Sequence, residues 1–145
     1  VQGSIGKKGM VLNCESRRTH NIFTEDGIEH DYLHMDGQEV YKFAVRQCPK
    51  CLLEALEKAD MTADDIDYFV LHQANVRIIE SVAKRLKAPV EKFPMTLGYT
   101  GNMSAASVPV MLDSLVRDGG LKRGDKVAMS AFGAGLTYGA IVLEW

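Results

Sequence analysis

Two side chains in this sequence stand where chemistry is commonly done. His72 follows the apolar run Ile66-Asp67-Tyr68-Phe69-Val70-Leu71 and comes three residues before Asn75, a good helix cap, so a strand ends and a helix begins around it. Ligands of open α/β sheets gather at the carboxyl ends of strands. An imidazole there can move a proton or donate a hydrogen bond, and it can equally be a satisfied core residue. Asn102 lies at the end of the turn Gly98-Tyr99-Thr100-Gly101-Asn102, ahead of a second helix. Most Asn residues in such turns cap the helix or take a left-handed conformation. The alternative is that its carboxamide donates to a reacting oxygen, and the turn by itself allows both.

Other candidates are weaker. Cys48-Pro49-Lys50-Cys51 has the spacing of a zinc or redox pair. Zinc needs further ligands and a redox pair normally follows a strand, and neither context is present. The expectation is two small buried helix residues, with no metal and no cofactor. His20, His30 and His34 lack carboxylate or Cys partners at ligand spacing and read as surface residues. Arg77, Lys84 and Lys87 line one side of the helix after His72, and Lys42 belongs to the preceding element. Such charges usually make a solvated face.

These residues need elements to hold them. Residues 1–34 are polar and punctuated by glycine, with one strand expected over 10–13. From Gly37 onward Val40, Phe43, Ala44, Cys48, Cys51, Leu52, Ala55, Leu56 and Ala59 recur at helical spacing, so one face is buried. Pro49 removes a backbone donor and predicts a kink or break near Gln47. Thr62-Ala63-Asp64-Asp65 offers a capped turn, and 66–71 a strand buried on both faces. A helix is expected from Asn75 to before Pro89, then an extended piece after Pro94. Ala105, Ala106, Val108, Leu112, Leu115 and Val116 read as a second buried helix ending before Gly119-Gly120. Strands over 127–132 and 138–143 flank Gly133-Ala134-Gly135, which by itself is a tight β-turn. The order is that of an α/β layered protein.

Composition removes whole classes of function. The 145 residues, 16.0 kDa, are 46% hydrophobic and 25% charged, which excludes disorder, collagen and disulfide scaffolds. Seventeen basic against nineteen acidic residues give a net charge of -2, a poor balance for neutralising nucleic-acid phosphates. No apolar run approaches the roughly 20 residues of a membrane helix, and the first residues carry no apolar segment of a signal peptide. Three cysteines suit free thiols in a reducing cytoplasm. The chain begins with Val1, which makes a fragment of a larger protein worth testing.

Three segments are more specific. Val70-Leu71-His72-Gln73-Ala74-Asn75-Val76-Arg77-Ile78, Gly101-Asn102-Met103-Ser104-Ala105-Ala106-Ser107-Val108-Pro109 and Ala131-Phe132-Gly133-Ala134-Gly135-Leu136-Thr137-Tyr138-Gly139 closely resemble, in order and spacing, three motifs of the β-ketoacyl-acyl carrier protein synthase III family. Met35-Asp36-Gly37-Gln38-Glu39-Val40-Tyr41-Lys42 is similar to the stretch before that family's long helix. The resemblance implies a thiolase-like α/β fold, one half of a five-layered αβαβα sandwich. Residues 35–145 would form the carboxyl-terminal half-domain and 1–34 the end of the connection from a first half. It implies decarboxylative Claisen condensation of acyl-coenzyme A with malonyl-acyl carrier protein, initiating fatty acid synthesis in the cytoplasm.

His72 and Asn102 match the family residues that hold the enolate oxygen through two neutral N–H groups. A His and His pair would resemble elongating synthases instead, and a His and Cys pair thiolases. Ala134 matches the backbone donor of a second oxyanion site. Asn75 and Arg77 match positions at the entrance for coenzyme A or the carrier's phosphopantetheine, and Met35, Gly37, Lys42 and Phe132 are assigned to substrate or carrier binding on the same basis. Cys14, Cys48 and Cys51 do not match the family's nucleophile motif, which belongs to the first half. The chain alone is therefore expected to be inactive and the full-length enzyme a homodimer. The alternatives are a non-catalytic split subunit, a coenzyme A-binding module, or a secondary-metabolism acyltransferase of the same fold.

Overall fold

The strand that leads into His72 is deeply buried. In the computed structural model, which describes residues 1–14 and 32–145, it spans Tyr68–Leu71, with Phe69 and Val70 fully inaccessible. It follows β1 (Gln2–Ser4), β2 (Leu12–Asn13) and β3 (His34–Met35) and is numbered β4. β5 (Lys126–Gly133) pairs parallel to β4, and β6 (Thr137–Glu144) returns antiparallel to β5. β1 closes the sheet in the order β1-β6-β5-β4, and β2 and β3 form a separate two-stranded ladder.

Alternating side chains divide the core into two layers. Phe69 and Leu71 project to one face, packing with Leu52 and Leu56 of α1 (Gly37–Lys58) and Ile79 and Val82 of α2 (Val76–Leu86). Val70 projects to the other face, against Met111 and Leu115 of α4 (Ser107–Arg117), which follows a single turn, α3 (Leu97–Thr100). A strand covered on both faces reads as an unbroken apolar run, which is why β4 lacks alternation. No helix among the described residues is long and apolar enough to cross a membrane.

Four local expectations are corrected. Pro49 does not break α1, which runs as one 22-residue helix. The proline removes one backbone bond, but Cys48, Pro49, Cys51 and Leu52 are all buried, and the packed apolar face carries the helix through. Met10 and Val11 belong to the 3₁₀ segment Gly6–Val11, leaving a strand only at Leu12–Asn13, where β3 supplies a partner. Residues 97–100 are helical rather than a simple turn, closed by Gly101 at φ +66°. The second buried helix starts later than expected: Ser104–Ala106 is a 3₁₀ turn, Ala105, Ala106 and Val116 are exposed, and only Ser107, Met111 and Leu115 of α4 are buried. Among the described residues nothing packs over that outer face.

The remaining boundaries follow local chemistry. Thr62 and Asp65 form a capping box over Ala63–Asp65, with Asp65 accepting from both the backbone and the hydroxyl of Thr62. Asp36 caps α1 by accepting from the N–H groups of Gln38 and Glu39.

Candidate active site

His72 is held by the ladder that ends at it. Its N–H donates to the Ser130 carbonyl at 2.9 Å, extending the β4–β5 pairing by one residue. Gln73, fully buried, then anchors the junction: its amide donates to the Leu71 carbonyl at 3.0 Å and its carbonyl accepts from the Thr96 N–H at 3.1 Å. That second bond ties the end of β4 to the segment leading to Asn102. Asn75 caps α2 by accepting from the Arg77 N–H at 2.9 Å.

The His72 ring is half-buried, with Nδ1 at 2.7 Å from the Ser107 hydroxyl and the Phe132 ring edge-on at 5.1 Å. Burial holds its pKa below the ordinary imidazole value, with only the Ser104 carbonyl acting in the other direction. The ring is accordingly neutral at neutral pH. Asn102 is exposed, and its Oδ1 accepts from the Ser104 N–H at 3.0 Å. The oxygen end of the carboxamide is thus committed to the protein and the amino end is left for a ligand.

Both residues line a cleft of about 630 Å³, together with Met35, Phe132 and Ala134. Ala134 sits in the β5–β6 hairpin, where its carbonyl accepts from the Thr137 hydroxyl at 2.9 Å. The left-handed position of the hairpin is taken by Gly135 at φ +128°, and Ala134 itself has no positive φ. The alanine side chain is therefore accommodated there without left-handed backbone strain.

The other expected binding residues lie outside the cleft lining. Asn75 is exposed and its oxygen caps α2, Arg77 is exposed on α2, and Gly37 opens α1. Lys42 binds Glu39 at 2.9 Å; Glu39 also holds Lys8 at 2.8 Å, and the two cations bring its carboxyl down to about 2. His34 is exposed, while His20 and His30 lie outside the described residues.

Cys48 and Cys51 are buried helix residues, as expected; burial pushes the Cys48 thiol up to about 12 and raises that of Cys51. No cluster of three metal-ligating side chains occurs among the described residues. Two supporting residues escaped sequence reasoning. Ser107 sits five positions after Asn102 in the same segment and reads there only as a small helix residue, and Gln73 is overshadowed by its neighbour His72.

The family profile described as 3-oxoacyl-[acyl-carrier-protein (ACP)] synthase III C terminal matches residues 56–145. A β-ketoacyl-[acyl-carrier-protein] synthase III of Microcystis aeruginosa is 52% identical over 113 residues, covering 78% of this chain and 34% of its own length. The crystal structure of the 3-oxoacyl-[acyl-carrier-protein] synthase III of Aquifex aeolicus superposes on all of this chain and 43% of its own, with a TM-score of 0.88 at 34% identity. The priming β-ketosynthase of a polyketide biosynthetic pathway superposes on 99% of this chain and 44% of its own, with a TM-score of 0.85 at 38% identity. This chain thus spans less than half the length of the relatives it matches. The α/β thiolase-like fold implied by the three motifs is the fold observed. Together the profile over residues 56–145 and the superposed architecture identify the chain as a member of the β-ketoacyl-[acyl-carrier-protein] synthase III family.

Proposed function

We propose that the chain works as the carboxyl-terminal half of a ketoacyl synthase III, with residues 35–145 as its half-domain and 1–34 as the end of the connection from the first half. The complete enzyme condenses an acyl-coenzyme A primer with malonyl-acyl carrier protein in the cytoplasm, as a homodimer. The observation that carries this reading is the pairing of His72 and Asn102 on one cleft, each with its other polar atom already bonded within the protein.

In the proposed reaction the bond between the malonyl α-carbon and its carboxylate breaks and carbon dioxide leaves. The electron pair passes to the α-carbon and the thioester oxygen, giving an enolate. The N–H of His72 and the carboxamide of Asn102 donate to that oxygen as charge develops, with no proton transferred. The α-carbon then attacks the acyl thioester on a cysteine from outside this chain, and the Ala134 N–H donates to the oxyanion of the resulting adduct. The thiolate of that cysteine leaves as the carbonyl re-forms. Neither Cys48 nor Cys51 suits that role, since both are buried, lie outside the cleft lining and are held protonated. The entrance residues Asn75, Arg77 and Lys42 would serve the carrier and phosphopantetheine from the surface, and Met35, Gly37 and Phe132 the substrate arm.

The test is carbon dioxide release from a malonyl thioester by the complete enzyme. His72→Ala should lower it by about 10²–10³ while acylation of the nucleophile survives; an unchanged rate would overturn the assignment. The likeness to a priming polyketide β-ketosynthase supports a second reading, in which the same decarboxylation starts a secondary-metabolic chain. Comparing primer and carrier-protein specificity separates the two.

A further inference from the structure

Only one of the two ring nitrogens of His72 is left for the cleft. Nδ1 lies 2.7 Å from Oγ of Ser107, a fully buried residue at the start of α4. That hydroxyl oxygen accepts from the Gln73 N–H at 3.2 Å and lies 3.0 Å from the Ser104 carbonyl. A serine hydroxyl has one proton, so it donates to Nδ1 or to the carbonyl, not to both. The Ser104 carbonyl already accepts from the backbone N–H of Ser107 and is satisfied without the hydroxyl. An unprotonated Nδ1 has no other donor among the described residues, and its contact is the shorter, 2.7 Å against 3.0 Å.

We propose that Ser107 is a positioning residue for His72, donating its hydroxyl proton to Nδ1 and so holding the ring in the neutral tautomer that carries its proton on Nε2. The inference deepens the proposed function and rests on its reading of His72 as a neutral donor. With the proton on Nδ1 instead, the ring would donate to Ser107 and present the lone pair of Nε2 to the cleft. A lone pair there repels the charge that develops on a thioester oxygen. Gln73 fixes the hydroxyl from its other side, so one buried serine links the end of β4, the Asn102 turn and α4. The Ser104 carbonyl, which favours a proton on the ring, is the competitor. Without the hydroxyl, Nδ1 loses the donor that holds it unprotonated, and the Nε2–H form loses its hold.

The test is a two-bond ¹H–¹⁵N correlation spectrum of the protein with ¹⁵N-labelled histidine at neutral pH, with His72 assigned by its loss in His72→Gln. The wild-type ring should show a protonated Nε2 and a bare Nδ1. Ser107→Ala should move it toward the Nδ1–H form, and Ser107→Thr, which keeps the hydroxyl, should restore it. In the complete enzyme Ser107→Ala should lower kcat for decarboxylation by about tenfold or more with little change in KM, because a wrong tautomer removes the donor without altering the rest of the site. An Nδ1–H ring in the wild type overturns the proposal, and so does an unshifted tautomer in Ser107→Ala. Should Ser107→Ala fail to fold, the wild-type spectrum decides. The expected tautomers in an enzyme that does not decarboxylate malonyl thioesters would uphold the proposal and remove the enolate reading.

Discussion

Replacing Asn102 separates the proposed catalytic donor from a structural turn. Its Oδ1 accepts from the Ser104 N–H at 3.0 Å, and the residue is exposed, so losing that bond in Asn102→Ala costs about 0.5–1.5 kcal/mol of stability. Losing the donor costs more, roughly 3–4 kcal/mol of transition-state stabilisation, or about 10²–10³ in decarboxylation rate. Asn102→Asp divides the two effects further. It keeps an oxygen for the Ser104 N–H, with a charge that strengthens the bond, but exchanges the donor for a second acceptor. A carboxylate about 4 Å from an enolate adds repulsion of up to about 4 kcal/mol at an effective dielectric of about 20.

The expected order of stability is therefore Asn102→Asp equal to or above wild type, with Asn102→Ala below. The expected order of rate is wild type above Asn102→Ala above Asn102→Asp. Thermal unfolding and release of labelled carbon dioxide from a malonyl thioester measure the two scales on the same preparations. Parallel orders, or an Asn102→Asp enzyme within about threefold of the parental rate where a loss beyond the about 10²–10³ of Asn102→Ala is expected, would refute the reasoning.

Two further outcomes follow from burial. The half-buried neutral His72 has its pKa below that of an unfolded histidine, so the unfolded state takes up the proton first as pH falls. Stability from this group is full above about pH 6.5 and is lost on acidification below it; denaturant titrations should show a steeper acid loss in the wild type than in His72→Gln, and equal slopes would contradict the assigned environment. Ala105 and Ala106 of the 3₁₀ turn and Val116 of α4 stand in solvent. Sedimentation of the chain should therefore depend on concentration, and a cooperatively unfolding monomer at every concentration would show that the face needs no partner.

The framework around the candidate site was legible because its signals are local. The apolar run before His72 and the capping side chain of Asn75 mark a strand–helix junction without any knowledge of the rest of the chain. What was not legible depends on tertiary contact. Pro49 carries a strong local signal for a break, overridden by the burial of its neighbours against the sheet. The small and apolar residues 105–116 report which face could be covered, not whether a partner is there to cover it. Ser107 looks like a small packing residue until the fold brings it across 35 residues to His72. Lys42 and Asn75 show the reverse effect, since short-range bonds to Glu39 and Arg77 engage groups expected to reach a ligand.

The central claim is that His72 and Asn102 act as neutral hydrogen-bond donors, without moving a proton, while the malonyl carboxylate departs. The solvent deuterium isotope effect on carbon dioxide release, measured with the complete enzyme on the pH-independent plateau, tests it most directly. A ratio close to about 1 is predicted, because no proton is in flight in that step, whereas a normal effect of about 2 or more would make His72 a general acid–base catalyst and contradict the account.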